Sequence, residues 1–270
     1  VANVILSDIL REVSLQDPAD LRIRRRSNPR GNYPAITPFV NLLRQRVRNV
    51  MSAARVLGTV RGRQRAVLAD SRRALPGDGE TFDAVITSPP YATALPYLDT
   101  QRLSLAFLGL LSPKELRALE NDVLGNREIS KSDREREEAA IKQAQSELPT
   151  AVVRLCAQAQ RLAAKPGNGF RRRNVPALLV RYFRDMRHVF ATARGKVRRG
   201  GSFAMVVGPN RTTLDGETLI IDTPHLLGLV AETVGWKVEE SIALDAYQRF
   251  DLHRQNSITT ERLVVLSRAS

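Results

Sequence analysis

The chain has a single cysteine, Cys156. One thiol excludes an intramolecular disulfide and any multi-cysteine metal site. It falls in the apolar helical pattern Val152, Val153, Leu155, Cys156, which reads as a buried structural thiol. The three histidines, His188, His225 and His253, show no metal-ligand spacing, so no metal site is expected. No apolar run approaches the length that spans a bilayer. No secretory signal pattern opens the chain, and the expected setting is reducing, cytoplasmic and away from membranes. Internal repeats and low-complexity tracts are also missing.

Acidic residues are sparse. Against 42 Lys and Arg stand 28 Asp and Glu, for a net charge of +14 and a pI near 10.8. The surplus is arginine, with 36 Arg and 6 Lys. Residues 1–66 hold 13 Arg and four acids. A basic surface attracts a polyanion and makes salt-dependent phosphate contacts, and Arg pairs bidentately with phosphate and guanine. Arg-rich codon usage yields a similar composition, but the scarcity of acids favours a nucleic-acid partner. The 270 residues, 43% hydrophobic, suit one large α/β domain or one such domain with an insertion.

Phe82 to Thr87 is a short β-branched apolar run of strand length. It stops at Ser88-Pro89-Pro90-Tyr91, because neither proline can donate to a ladder and each fixes φ near −65°. The expected product is a rigid turn at a strand's carboxyl end, with one hydroxyl, outward carbonyls and one aromatic face. That edge of an open α/β sheet is where ligands bind.

The stretch from Phe82-Asp83 to Ser88-Pro89-Pro90-Tyr91 resembles the catalytic motif of the DNA amino-methyltransferases. That family transfers a methyl group from S-adenosylmethionine to cytosine N4 or adenine N6. The Ser form is similar to many cytosine-N4 enzymes. The resemblance implies a Rossmann-like class I methyltransferase sheet with a helical insertion. It also implies Ser88 and Pro89 as acceptors around the amine, Pro90 as the stiffening residue and Tyr91 as the stacking platform for a base taken out of the duplex. The implied partner is double-stranded DNA, with RNA as the alternative.

Residues 1–13 and Phe39 to Leu57 show helical periodicity, separated by a basic, turn-rich loop. Gln64 to Asp70 reads as a strand. The resemblance places a cofactor-contacting acid at the end of such a strand, here Asp70 followed by Ser71; helix capping by Asp70 is the competing reading. Tyr97 follows the motif and is a candidate for the base pocket or for core packing. Ser112-Pro113-Lys114-Glu115 is a helix start, and Ser132 to Ser146 and Pro149 to Ala164 read as further helices. Lys165 to Arg173 is expected to be a basic loop, with Arg171, Arg172 and Arg173 as phosphate contacts. A helix over Val175 to Val197 and a strand over Ser202 to Gly208 follow. Next come a helix over Thr223 to Gly235, with Thr223 as its N-cap, and strands over Trp236 to Leu244 and Glu261 to Ser267. The resemblance implies that the last strand is antiparallel. The loop before it holds His253 and Arg254, candidates for the target strand. The implied divisions are 1–63 as a helical, basic segment, 64–111 with 174–270 as the sheet domain, and 112–173 as the insertion.

The family's Gly-rich cofactor turn should leave a strand and open a helix. Neither Gly77/Gly79 nor Gly167/Gly169 leaves a strand and opens a helix. The resemblance therefore covers residues 64 to 268, and the sheet is expected to be incomplete at its N-terminal side. Either a preceding segment or a second chain completes the cofactor site, or the chain is an inactive homologue. The rival functions are RNA guanine-N2 methylation and a non-catalytic nucleic-acid-binding subunit.

Overall fold

The computed structural model describes residues 2–17, 24–27, 34–58, 62, 64–77, 79–92, 97–126, 129–141, 147–245 and 260–268. His253 and Arg254 lie outside the described residues. The chain forms two compact units, 1–66 with 96–122 and 67–95 with 123–270.

The first unit is helical. It holds α1 (Ala2–Val13), α2 (Ile36–Leu57), α3 (Tyr97–Phe107) and α4 (Pro113–Asp122). α1 buries Ile5, Ile9 and Leu10, spaced to share one face, and its Ser7 hydroxyl meets Ser104 of α3 at 2.7 Å. α4 opens with a capping box. The Ser112 hydroxyl accepts from Glu115 N at 3.3 Å, and the Glu115 carboxylate accepts from Ser112 N at 2.8 Å. The Ser112 hydroxyl also donates to that carboxylate at 2.6 Å, and this bond, with the Ser112 N–H, holds the Glu115 carboxyl below its usual range.

The second unit is mixed α/β. Its sheet contains β1 (Phe82–Thr87), β2 (Val197–Val207), β5 (Trp236–Asp245) and β6 (Thr260–Arg268), in the order β1-β2-β6-β5. β1 and β2 are parallel, and β6 is antiparallel to both neighbours. The last strand therefore runs antiparallel, as the resemblance implies. The helices are α5 (Lys131–Ala140), α6 (Thr150–Ala163), the single turn α7 (Phe170–Arg173), α8 (Val175–Lys196) and α9 (Thr223–Glu232).

α8 is the spine of this unit. Leu179, Tyr182, Phe183, Met186, Phe190 and Ala193 recur at helical spacing and are buried. They meet one face of the sheet, where Phe203, Met205 and Val207 of β2 alternate inward with Val264 and Leu266 of β6. Phe203 sits between Phe190 and Trp236 in edge-to-face contact, with centroids 5.3 and 5.7 Å away. Trp236 also donates to the Phe190 carbonyl at 2.9 Å, so the largest apolar residue here leaves no buried donor unpaired. Each such side chain contributes about 1.5–3 kcal/mol through burial. Cys156 lies in the same core, and burial pushes its thiol up to about 12.

Several expectations change. Residues 64–70 form no strand; they have no regular secondary structure and are largely exposed, with Leu68 fully open. Residues 197–201, expected to lie outside the strand, belong to β2. Arg171, Arg172 and Arg173 form the helical turn α7 rather than a loop. Asp222, not Thr223, caps α9, its carboxylate accepting from His225 N at 3.4 Å. A hairpin of β3 (Asn210–Leu214) and β4 (Glu217–Ile221) stands where no strands were expected. Its Asp215-Gly216 turn has φ of 50° and 77°, the left-handed pair of a two-residue hairpin. No described helix is long and apolar enough to cross a membrane.

Candidate functional site

The Ser88-Pro89-Pro90-Tyr91 turn leaves the carboxyl end of β1 and is tethered at every residue but Pro89. The Ser88 hydroxyl donates to the Val206 carbonyl of β2 at 3.1 Å. The Tyr182 hydroxyl, on the buried face of α8, donates to the Pro90 carbonyl at 2.8 Å. The Tyr91 hydroxyl donates to the Glu261 carboxylate at the start of β6. One residue on, Asn210 at the head of β3 donates its amide to the Ala92 carbonyl. Gly125 presses on the turn from outside: a Cβ there would lie 2.8 Å from Pro90 Cβ.

Burial agrees with this geometry. Pro89 and Ala92 are buried, Tyr91 is half-buried with its ring against the core, and Ser88 is exposed. The Ser88 proton is committed to Val206, so the hydroxyl offers lone pairs outward as an acceptor. Among the described residues no donor reaches the Pro89 carbonyl. The turn thus presents an oriented acceptor and a half-open ring at one sheet edge.

Asp70 is engaged with arginine. Arg72 grips its carboxylate with Nε and Nη2 at 2.9 to 3.2 Å, and Arg73 adds a contact at 3.4 Å. The Arg72 side-chain bonds hold the Asp70 carboxyl below its usual range. The other arm of Arg72 reaches Asp185 of α8 at 3.0 Å. Asp185 is pushed up by desolvation despite that pairing. It stands three residues after Tyr182, so both anchor points lie on one side of α8 within about one turn. The Arg72 carbonyl also accepts from Thr192 at 3.0 Å. Residues 70–72 are thereby laid along the helix that holds the Pro90 carbonyl.

The low Asp70 pKa has a testable consequence. A carboxylate depressed on folding stabilises the fold above its unfolded pKa and loses that contribution as pH falls through the folded value. Asp70→Asn should therefore lower stability by about 1 kcal/mol at pH 7. The gap from wild type should close in strong acid. Urea melts at pH 7 and pH 2.5 check this, and a gap that persists in acid removes the Arg72 pairing as its cause.

Arg173 turns back on its own loop, its Nε donating to the Asn168 carbonyl at 3.0 Å. Arg171 and Arg172 are exposed and line a groove with Arg211. Tyr97 stands at the first position of α3, in the helical unit. Among the described residues no three metal-binding side chains cluster. Four residues that hold the turn were not singled out in the sequence: Tyr182, Glu261, Asn210 and Gly125. Tyr182 reads as ordinary core in a helical stripe and Glu261 as the first residue of a strand. Only the Asp215-Gly216 pair announced an element near Asn210.

No protein-family model matches the sequence, and no curated protein matches it. Three solved structures of one candidate DNA modification methylase from Thermus thermophilus are similar to parts of the chain. A selenomethionine derivative has 12% identity and a TM-score of 0.28 over 33% of this chain and 37% of that one. A complex with S-adenosyl-L-methionine has 11% identity and a TM-score of 0.31 over 42% and 51%. A third has 11% identity and a TM-score of 0.34 over 75% and 53%. The chain spans about half or less of the length of those structures.

Proposed function

We propose that the chain carries the catalytic turn of an S-adenosyl-L-methionine-dependent DNA methyltransferase acting on an exocyclic base amine, cytosine N4 in first place and adenine N6 in second. The observation that supports this most is Ser88, whose proton is given to Val206 while its oxygen faces outward. An exocyclic amine is a poor nucleophile because its lone pair is delocalised into the ring. Acceptors on its N–H bonds favour a pyramidal nitrogen and stabilise the positive charge that develops on it. Ser88 Oγ and the Pro89 carbonyl are those acceptors. Tyr91 carries the extruded base on its ring, and the bond from its hydroxyl to Glu261 fixes the ring's plane. The Tyr182 hydroxyl holds the Pro90 peptide and so the pitch of the whole turn.

Asp70 and Ser71 belong at the adenine end of the cofactor. Arg72 and Arg73 engage both Asp70 oxygens, yet 28% of that side chain stays exposed to a further donor. The fit extends to that end only, because neither Gly-x-Gly pair leaves a strand to open a helix. The remaining contacts fall to a preceding segment or a second chain. When bound, the cofactor supplies an electrophilic methyl group on a sulfonium sulfur.

Labelled methyl transfer to duplex DNA and to tRNA, followed by digestion to nucleosides, tests the proposal. N4-methylcytosine in DNA is the expected product, and Ser88→Ala should lower kcat on the order of a hundredfold. N2-methylguanine in RNA moves the assignment to the RNA enzymes. No label in either, with duplex binding intact, leaves a non-catalytic binding subunit.

A further inference from the structure

The β3–β4 hairpin has no part in the chemistry above, yet both its ends are fixed. At its head Asn210 holds the Ala92 carbonyl beside the motif. At its tip Asp215 N donates to Asn168 Oδ1 at 2.9 Å, and Lys165 pairs with Asp215 at 3.0 Å and Glu217 at 3.1 Å. The hairpin therefore bridges from the catalytic turn to the loop that carries α7. Between β3 and α7 lies a groove of about 430 Å³. Arg171, Arg172 and Arg211 line it with Thr212, Thr213, Val175 and Leu178, and no acidic residue does. Phe170, beside these arginines, is 61% exposed.

We propose that this groove is a backbone clamp for duplex DNA, in which Arg171, Arg172 and Arg211 take consecutive phosphates of the strand that carries the target base. The inference rests on the methyltransferase reading for its partner and deepens it by placing the strand. Three arginines and two threonines on the lining of one carboxylate-free groove supply the donor types that phosphate oxygens receive. Location agrees with charge. A strand advances about 3.4 Å per residue, so Thr212 and Thr213 stand roughly 7 to 10 Å from Asn210. Duplex DNA rises about 3.4 Å per base pair. The clamp thus grips the backbone within about three base-pair steps of the extruded nucleotide. That grip holds the flank still while one base leaves the stack. Arg173 gives its Nε proton to the Asn168 carbonyl and so holds the loop in shape.

Salt dependence reads the clamp directly. Each phosphate contact contributes about 0.9 to the slope of log K against log salt, so three contribute about 2.7. Binding of a fluorescent non-specific duplex by the full chain should therefore lose about fortyfold more affinity between 50 and 200 mM salt than binding by R171Q/R172Q/R211Q. The charge-retaining R171K/R172K/R211K should keep the wild-type slope, and circular dichroism should show both variants folded. An unchanged slope in the folded Gln variant overturns the clamp, as does a slope that falls only on an RNA hairpin of equal length. If the slope falls as expected while no methyl transfer is found, the clamp stands and the catalytic reading fails. If methyl transfer proceeds with the slope unchanged, the reverse holds.

Discussion

Tyr91→Ala should lower methyl transfer to duplex DNA by at least about a hundredfold while the duplex Kd stays within about threefold. Two losses add. Stacking of a base on an aromatic ring contributes about 1–3 kcal/mol, and that energy acts only once the base has left the duplex. The ring also sets where the amine lies relative to Ser88, and a misplacement of about 1 Å at a reacting atom costs on the order of a hundredfold. Ground-state binding is spared because phosphate contacts dominate it. Tyr91→Phe tests the tether: it keeps the stacking face and deletes the hydroxyl's bond to Glu261. Its loss should be about tenfold or less, and Glu261→Gln, which preserves an acceptor, should be milder still. Steady-state kinetics with a binding titration on each variant separates these effects. Wild-type turnover in Tyr91→Ala would remove the base from the ring.

The parts legible in the sequence share a cause. α8, β2 and β6 are buried against one another, and burial imposes the periodicities of 2 and 3.6 that a reader can see. The proline pair ends β1 at Thr87 for a local covalent reason. What was misread lacks that imprint. Residues 65–69, with Val67 and Leu68 at the centre, have strand-like composition, but a strand is defined by its partner. Leu68 is fully exposed, and among the described residues the segment joins no strand ladder. The hairpin fails in the other direction: β3, Asn210 to Leu214, is polar at four of five positions and looks like a loop. Only the left-handed Asp215-Gly216 turn marks it. Within the site the same division holds. Ser88 to Tyr91 is a contiguous motif, whereas its supports, Tyr182, Asn210 and Glu261, come from elements 92 to 170 residues away along the chain. Nothing local in those residues records the partner they meet, so the supports emerge only once the sheet is closed.

The same closure makes one glycine decisive. Gly201→Ala should destabilise the protein by about 1–3 kcal/mol and lower its Tm by about 5 °C, and it should take activity down with it. An added Cβ would lie 2.6 Å from Val197 Cγ1, 2.7 Å from the Asp83 carbonyl and 3.0 Å from the Arg198 carbonyl. Two of those three atoms are backbone, so no rotamer change relieves the contact. The strands must part where the ladder already shifts register, between Phe82–Val197 and Ala84–Ser202. Among the described residues β2 is the sole ladder partner of β1. Loosening that pairing lets the far end of β1 move, and the far end carries Ser88 to Tyr91. Gly195→Ala is the matched control. Gly195 lies within α8, and a methyl group added there would meet nothing within 4 Å, so the same substitution should stabilise by about 0.5–1 kcal/mol. Thermal unfolding of the two variants beside wild type, with methyl transfer assayed well below Tm, distinguishes strand displacement from a general sensitivity to added bulk. A Gly201→Ala protein melting within a degree of wild type would mean that β1 and β2 do not approach as closely as described, and the turn would lose the support that aims Ser88.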